Sequence, residues 1–338
     1  MPIDLRSDTV TQPTASMLDH MFRARVGDDV FREDSTINEL EGRMAQAFGM
    51  ESALFCPSGT MTNQIAIKIH TQPGNEVLCD KSAHVYIYEG GGIAFNSGCQ
   101  TRPLEGDRGR VTAAQVLEAI NPDDVHKAPT RLVCLENTAN RGGGSCYDWD
   151  QIEAIRQVCD THGLKFHLDG ARLYNALVAK GQTPKQYGEI FDSISVCLSK
   201  GLGCPVGSVL IGTKADITRA RRVRKVFGGG MRQAGFLAAA GLYALDHHVD
   251  RLAEDHRHAS RLAQALAGKD FTGEILPVET NIVIFGVRGR YTAASLAEKF
   301  KENGVIVVAI SPTQIRMVTH LDFTPEMVEE TIRVIDRL

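Results

Sequence analysis

Three short stretches of the chain combine residue types that can act together on a small molecule. Lys200 closes the β-rich run SISVCLSK and is followed by Gly-Leu-Gly. An amine at a strand end, with small neighbours, can reach into a crevice and condense there with a carbonyl. Asp169 closes KFHLD and also precedes a glycine. Its carboxylate could hold a proton on a ring nitrogen. Ser58, Gly59 and Thr60 lie between the strand-like SALFC and a helical stretch from Met61. Hydroxyls and free backbone N–H groups at a helix start form an anion site. Each has a plainer reading when taken singly. Most lysines are solvated, Asp169 could cap a helix or turn, and Ser58 could be an ordinary N-cap. The conjunction is more specific: an amine, a carboxylate and a phosphate cradle are what a protein offers to a cofactor carrying an aldehyde, a pyridine nitrogen and a phosphate.

Strands and helices must alternate to bring these groups together. SALFC (52–56), RLVCLEN (131–137), KFHLDGAR (165–172), SISVCLSK (193–200) and GSVLIG (207–212) read as strands, and WDQIEAIRQVCDTHG (149–163) has helical spacing with a glycine stop. The pattern predicts an α/β unit with a mostly parallel sheet. In such sheets ligands sit beyond the carboxyl ends of strands, where both Lys200 and Asp169 fall. After about residue 245 the texture changes to a long charged helix, strands TNIVIFG, VIVVA and IRMVTH, a helix near 292–303 and a last helix from Pro325. The expected division is an N-terminal arm (1–30), a large cofactor-binding domain (31–245) and a small α+β C-terminal domain (246–338).

The composition excludes several classes. The 338 residues are 43% hydrophobic and 23% charged, with net charge −4, so no basic footprint suggests nucleic acid or an anionic membrane. No apolar run approaches a membrane span, and the polar start lacks a signal-peptide core. Eight scattered cysteines, with no CxxC pair, read as reduced thiols of a cytoplasmic protein. The histidines of HHVD and DHRH (247–258) lie on a charged helix and read as a solvated face, so no metal site is expected.

The stretches DLRSDTVTQP (4–13), GDDV (27–30), LFCPSGTMTN (54–63), AHVYIYEGGG (83–92), LVCLENT (132–138), HLDGARL (167–173), SVCLSKGLGCPVGS (195–208) and GGGMRQAG (228–235) together resemble the threonine aldolase family of fold-type I pyridoxal 5′-phosphate (PLP) enzymes. The resemblance runs from the N-terminus to about residue 320. It implies a large domain with a mostly parallel seven-stranded sheet and a smaller α+β domain. It implies that Lys200 carries the cofactor as a Schiff base, that Asp169 pairs with the pyridinium, and that Ser58, Gly59 and Thr60 cup the phosphate. His84 resembles the histidine that stacks on the ring, and Arg172 an arginine near the ring's 3-oxygen. Ser7 and Arg316 resemble the pair that binds the substrate carboxylate. Lys225 and Arg232 resemble residues that reach a neighbouring subunit's phosphate site, and the family is usually a tetramer built from dimers with shared active sites.

The activity so implied is retro-aldol cleavage of L-β-hydroxy-α-amino acids, threonine and allo-threonine giving glycine and acetaldehyde. Three departures bear on the substrate. The family commonly reads Thr-His-Asn after LVCLEN, whereas this chain has Thr138-Ala139-Asn140. The family commonly has Tyr-Gly after GDDV, whereas this chain has Phe31-Arg32. The run RGGG (141–144) suggests a remodelled, mobile loop. Without the histidine, any base must be His84, a water held by it, or another group. Arg32 is the candidate to pair with an anionic or bulky β-substituent, as in β-hydroxyaspartate or phenylserine. A β-eliminating lyase or an aminotransferase would share the lysine and the aspartate.

Overall fold

The computed structural model describes residues 2–338. Its N-terminal arm begins with a two-residue strand, β1 (Ile3–Asp4). The central sheet takes β2 (Ser52–Cys56), β3 (Glu76–Asp80), β4 (Gln100–Leu104), β5 (Thr130–Glu136), β6 (Lys165–Gly170), β7 (Ser193–Cys197) and β8 (Ser208–Gly212). Their order is β2-β8-β7-β6-β5-β3-β4. Pairing is parallel from β4 to β7, while β8 runs antiparallel to both β7 and β2. Residues of β3, β7 and β8 are buried throughout, as expected for strands covered on both faces. The sheet is therefore mostly parallel, as the strand pattern predicts, and seven-stranded, as the family resemblance implies. β3 and β4 were not evident from the sequence pattern.

A smaller C-terminal domain follows. It contains β9 (Thr272–Ile275), β10 (Ile282–Val287), β11 (Val305–Ile306), β12 (Val308–Ser311) and β13 (Gln314–Val318). Four of them form an antiparallel sheet in the order β12-β13-β10-β9. The run VIVVA splits in two, because β11 leaves that sheet to pair in parallel with β1. The arm is thus stitched to the small domain, and Ile3 and Leu5 join its core with Phe285, Phe300 and Val334. Farther along, the helix Ala15–Phe22 packs on the helix Gly235–His247 of the large domain. No helix among the described residues is long and apolar enough to cross a membrane.

Local signals explain the element ends next to the crevice. Ser58 is the N-cap of the helix Gly59–His70, its hydroxyl accepting from Met61 N–H at 3.2 Å. The helix Trp149–His162 starts with an Asp148–Gln151 capping box and stops at Gly163 in the left-handed region. At Gly170, directly after Asp169, a Cβ would come within 2.5 Å of the Ser195 carbonyl oxygen of β7. Only a residue without a side chain lets β6 and β7 close up there. Gly170→Ala is expected to cost about 1–3 kcal/mol, read as a lower urea midpoint at an unchanged slope.

Candidate active site

Parallel pairing places Glu136 beside Asp169 and Asp169 beside Ser195 at the carboxyl ends of β5, β6 and β7. Lys200 lies three residues past β7, and its carbonyl accepts the hydroxyl of Thr11 from the arm at 3.1 Å. Two chambers meet there. The inner one, about 140 Å³, is lined by Gly59, Thr60, Asn63, Asp169, Ser199 and Cys197. The outer one, about 380 Å³, is lined among others by Ser7, Tyr88, Glu136, Arg141, Arg172 and Arg316. His84 and Lys200 line both.

The inner chamber suits the ring and phosphate of a PLP-like group. Asp169 is 2% exposed and anchored on both oxygens, accepting from Ala171 N–H at 3.1 Å and from Asn63 Nδ2 at 2.9 Å. His167, two residues earlier on the same face of β6, holds the other end of that amide, Nε2 to Asn63 Oδ1 at 3.2 Å. Burial, with a smaller push from His70, lowers the His167 pKa to about 3, so this imidazole stays neutral and acts as a spacer. Gly59 and Thr60 open onto the chamber at the start of a twelve-residue helix, where backbone N–H groups are free. The Ser58 hydroxyl is engaged in capping and does not line the chamber. The amine, the anchored carboxylate and the helix start lie around one cavity, and the residues present fit the cofactor.

The outer chamber is dominated by cations. Arg172 is buried and grips Asp8 with both arms of its guanidinium, Nε to Oδ2 at 2.6 Å and Nη2 to Oδ1 at 2.7 Å. Burial alone would raise the Asp8 pKa. Arg172, the nearby Lys200 charge and Asn281 outweigh it and hold the carboxyl at about 2. Arg316 on β13 has no such partner: among the described residues no carboxylate lies within salt-bridge distance. Its Nη1 donates to Asn140 Oδ1 at 2.8 Å, its Nη2 to the Arg6 carbonyl at 3.0 Å, and its buried Nε to nothing. Burial, then the Arg172 charge, lower its pKa to about 10. A half-buried guanidinium short of a carboxylate has the geometry and charge to take one. Ser7 lines the same chamber, with its hydroxyl accepting from Thr9 N–H and Thr9 Oγ1.

Other expected groups lie elsewhere in the chain. Arg32 is exposed, with a left-handed backbone at φ 64°, and lines neither chamber. Lys225 and Arg232 are also exposed and away from both, Arg232 pairing with Asp28 at 3.2 Å. Ala139 is buried; a Cβ on Gly109 would come within 2.7 Å of its methyl, so this methyl faces the 106–110 turn and not the cleft. The 141–144 run is not a mobile loop. Arg108 Nε donates to the Gly142 carbonyl at 3.0 Å and Thr280 to the Gly144 carbonyl at 2.9 Å, while Gly142–Gly144 are buried. His84 begins a short helix, His84–Ile87. Asp8, Asn63, Glu89 and Glu136 were missed in the sequence, although all four lie inside or next to the matched motifs.

The β-eliminating lyase family model matches residues 4–289. The chain belongs to this family. It is a lyase, and its cofactor is pyridoxal 5′-phosphate. The lyase is 42% identical over 329 residues to a low specificity L-threonine aldolase of Escherichia coli strain K12, covering 97% of this chain and 96% of the relative. It is 40% identical over 337 residues to low-specificity L-threonine aldolase 1 of Arabidopsis thaliana, covering 98% and 94%. Among solved structures, a threonine aldolase of Leishmania major superposes with a TM-score of 0.85 over 99% of both chains at 21% identity, which supports the fold.

The Asp8–Arg172 pair yields a test. Asp8→Asn leaves a buried guanidinium uncompensated, and the expected loss is about 3–5 kcal/mol in urea unfolding. The Asp8 carboxyl is depressed in the folded state, so its stabilisation is complete above its unfolded value of about 4 and is lost as pH falls toward 2. The difference between wild type and Asp8→Asn should shrink over that window.

Proposed function

We propose that this lyase cleaves L-β-hydroxy-α-amino acids by a retro-aldol reaction, threonine and allo-threonine giving glycine and acetaldehyde, as an aldehyde-lyase. The observation that carries the reading is Arg316: a half-buried guanidinium without a carboxylate among the described residues, facing the chamber that Lys200 and His84 also line. The names of the near-full-length relatives in bacteria and plants support it.

In this reading Lys200 carries the cofactor, Asp169 pairs with its ring nitrogen, Arg172 lies near the ring's 3-oxygen, and the 58–60 segment cups its phosphate. When bound, the cofactor supplies an electron-poor ring that accepts the electron pair of the Cα–Cβ bond. The residues do the rest. Arg316 and Ser7 hold the substrate carboxylate, which fixes the rotation about Cα and sets the Cα–Cβ bond across the ring plane. His84 Nε2 takes the β-hydroxyl proton as the carbon–carbon bond breaks and the aldehyde forms. The proton balance closes when one proton returns to Cα and glycine leaves. Arg32 is a proposed contact to the β-substituent only through a second copy, because it lies outside the cleft of its own chain. Arg141 does line the cleft, with one backbone acceptor, Ile310 O at 3.2 Å, and it favours testing an anionic β-substituent.

We further propose a tetramer of two dimers in which Lys225 and Arg232 serve a neighbour's phosphate site. Both are exposed, and the strongly exposed Phe22, Phe31, Phe95 and Val226 suit burial between copies. Eight free, buried cysteines are in keeping with a cytoplasmic setting. The proposed division is an arm (1–30), a large domain (31–245) and a small domain (246–338), and it follows the two main buried apolar clusters except where Ile3 and Leu5 cross to the second and Val249 and Leu252 to the first.

Lys200→Ala should abolish turnover and the visible absorbance of the lysine-bound cofactor; a retained band would refute the lysine assignment. Arg316→Leu should lower kcat/KM for threonine about 10–100-fold, mainly through KM, the worth of hydrogen bonds to a charged group. Product analysis over both diastereomers of threonine, phenylserine and β-hydroxyaspartate decides the reaction. Glycine plus aldehyde supports the aldolase, whereas ammonia plus the 2-oxo acid of unchanged carbon skeleton, 2-oxobutyrate from threonine, would make it a β-eliminating enzyme.

A further inference from the structure

Behind His84 lies a fully shielded carboxylate, Glu89. Its Oε1 accepts from His84 Nδ1 at 2.9 Å and from Asn63 Nδ2 at 2.9 Å, and its Oε2 accepts from Gln64 Nε2 at 2.6 Å. Gln64 is held in turn by Asn96 Nδ2 at 3.1 Å, and a Cβ on Gly92 would come within 2.6 Å of the Gln64 side chain. The Glu-Gly-Gly-Gly run is therefore built closely around this carboxylate. The Asn63 amide donates to Glu89 and Asp169 together, so an N–H sits between two carboxylates where a metal ion would need a lone pair. The grouping of His84, Glu89 and Asp169 is a proton-handling site, not a metal site.

We propose that Glu89 is the positioning residue of the acid–base step: by accepting the Nδ1 proton of His84 it fixes the tautomer and plane of the imidazole, and so presents the Nε2 lone pair to the substrate hydroxyl. This rests on the aldolase reading and deepens it. A neutral imidazole carries one proton, and a carboxylate at Nδ1 decides where it resides. Nε2 makes no hydrogen bond to the described residues, and the ring borders both chambers. The backbone is set independently, since Glu136 on β5 accepts the His84 N–H at 2.7 Å. With Ala139 turned toward Gly109, the Glu89–His84 dyad is placed to do what a histidine at position 139 would do.

The charges around His84 are Glu89 from its own segment, Asp169 from β6, Glu136 from β5 and Lys200 after β7, with the Tyr88 ring 5.6 Å away. Burial draws the His84 pKa down, but the hydrogen bond to Glu89 and the charges of Asp169 and Glu89 leave it raised overall. A base works only when deprotonated. Removing the charge at Glu89 must therefore lower the His84 pKa, shift the acid limb of kcat to lower pH and weaken the base above that limb.

The test uses holoenzyme labelled with ¹⁵N-histidine, with His84→Asn assigning the resonance. Glu89→Gln should lower the His84 titration midpoint by about one unit and move the acid limb of kcat with it. It should reduce kcat about 10-fold or more while changing KM for threonine little, and Glu89→Asp should restore part of each. A fall in kcat with the titration and the limb unmoved would overturn the assignment, as would a rise in KM alone. The titration needs no turnover, so a silent Glu89→Gln enzyme still reports, and if that variant does not fold Glu89→Asp carries the same comparison. Wild-type enzyme yielding no glycine from any β-hydroxy amino acid would overturn the aldolase reading while the titration shift stood. Glycine formation with an unmoved titration would overturn the Glu89 assignment alone.

Discussion

The bidentate grip of Arg172 on Asp8 ties three parts of the chain together. Asp8 belongs to the arm, Arg172 begins the helix after β6, and Asn281 of the small domain donates to the same carboxylate at 3.2 Å. A buried ion pair is costly to assemble and more costly to break, so this contact specifies one docking of arm, large domain and small domain. The cleft is what that docking encloses. Because Asp8 is spent on Arg172, the second cation, Arg316, is left without a counter-ion. The structure gives one arginine a carboxylate partner and the other none among the described residues.

The surroundings of His84, where the two chambers meet, follow a similar logic with carboxylates. Asp169, Glu89 and Glu136 lie close together around one histidine. Each is surrounded by fixed N–H donors, from Ala171 and Asn63, from His84 and Gln64, and from the backbones of His84 and Asn140. Burial, then the neighbouring Asp169 charge, push the Glu136 carboxyl above its ordinary value. Such a cluster persists only when the donors are held rigidly, and here they are carried by the helix Gly59–His70 and the strand ends.

Much of this was legible in the sequence. Lys200, Asp169 and the 58–60 segment end strong β-type runs or begin a clear helix, so their place at the carboxyl edge of the sheet follows from local pattern. Arg316 and Ser7 are 309 residues apart, and only the resemblance to a family brought them together in advance. The pairing of β1 with β11 lasts two residues, which is too short for any periodic signal. Glu89 and Asn63 were invisible for another reason: a glutamate after a tyrosine or an asparagine in a helix has no distinguishing neighbours, and its role arises from contacts 26 and 106 residues away in sequence. The RGGG run misled because glycine suggests freedom, whereas its backbone here is buried and hydrogen-bonded to Arg108 and Thr280.

Arg316 belongs to the small antiparallel sheet and Lys200 to the large parallel one, and the two sit on separately packed apolar cores. An amino acid whose carboxylate is seated at Arg316 and whose nitrogen lies toward Lys200 is a strut between those cores. In the proposed reading its binding energy would be shared between recognition and mechanical coupling of the two halves, so occupancy would stiffen the whole chain against opening and not only the walls of the cleft. Glycine formed by the proposed reaction would keep both attachment points of the strut and lose only the group that leaves as the aldehyde.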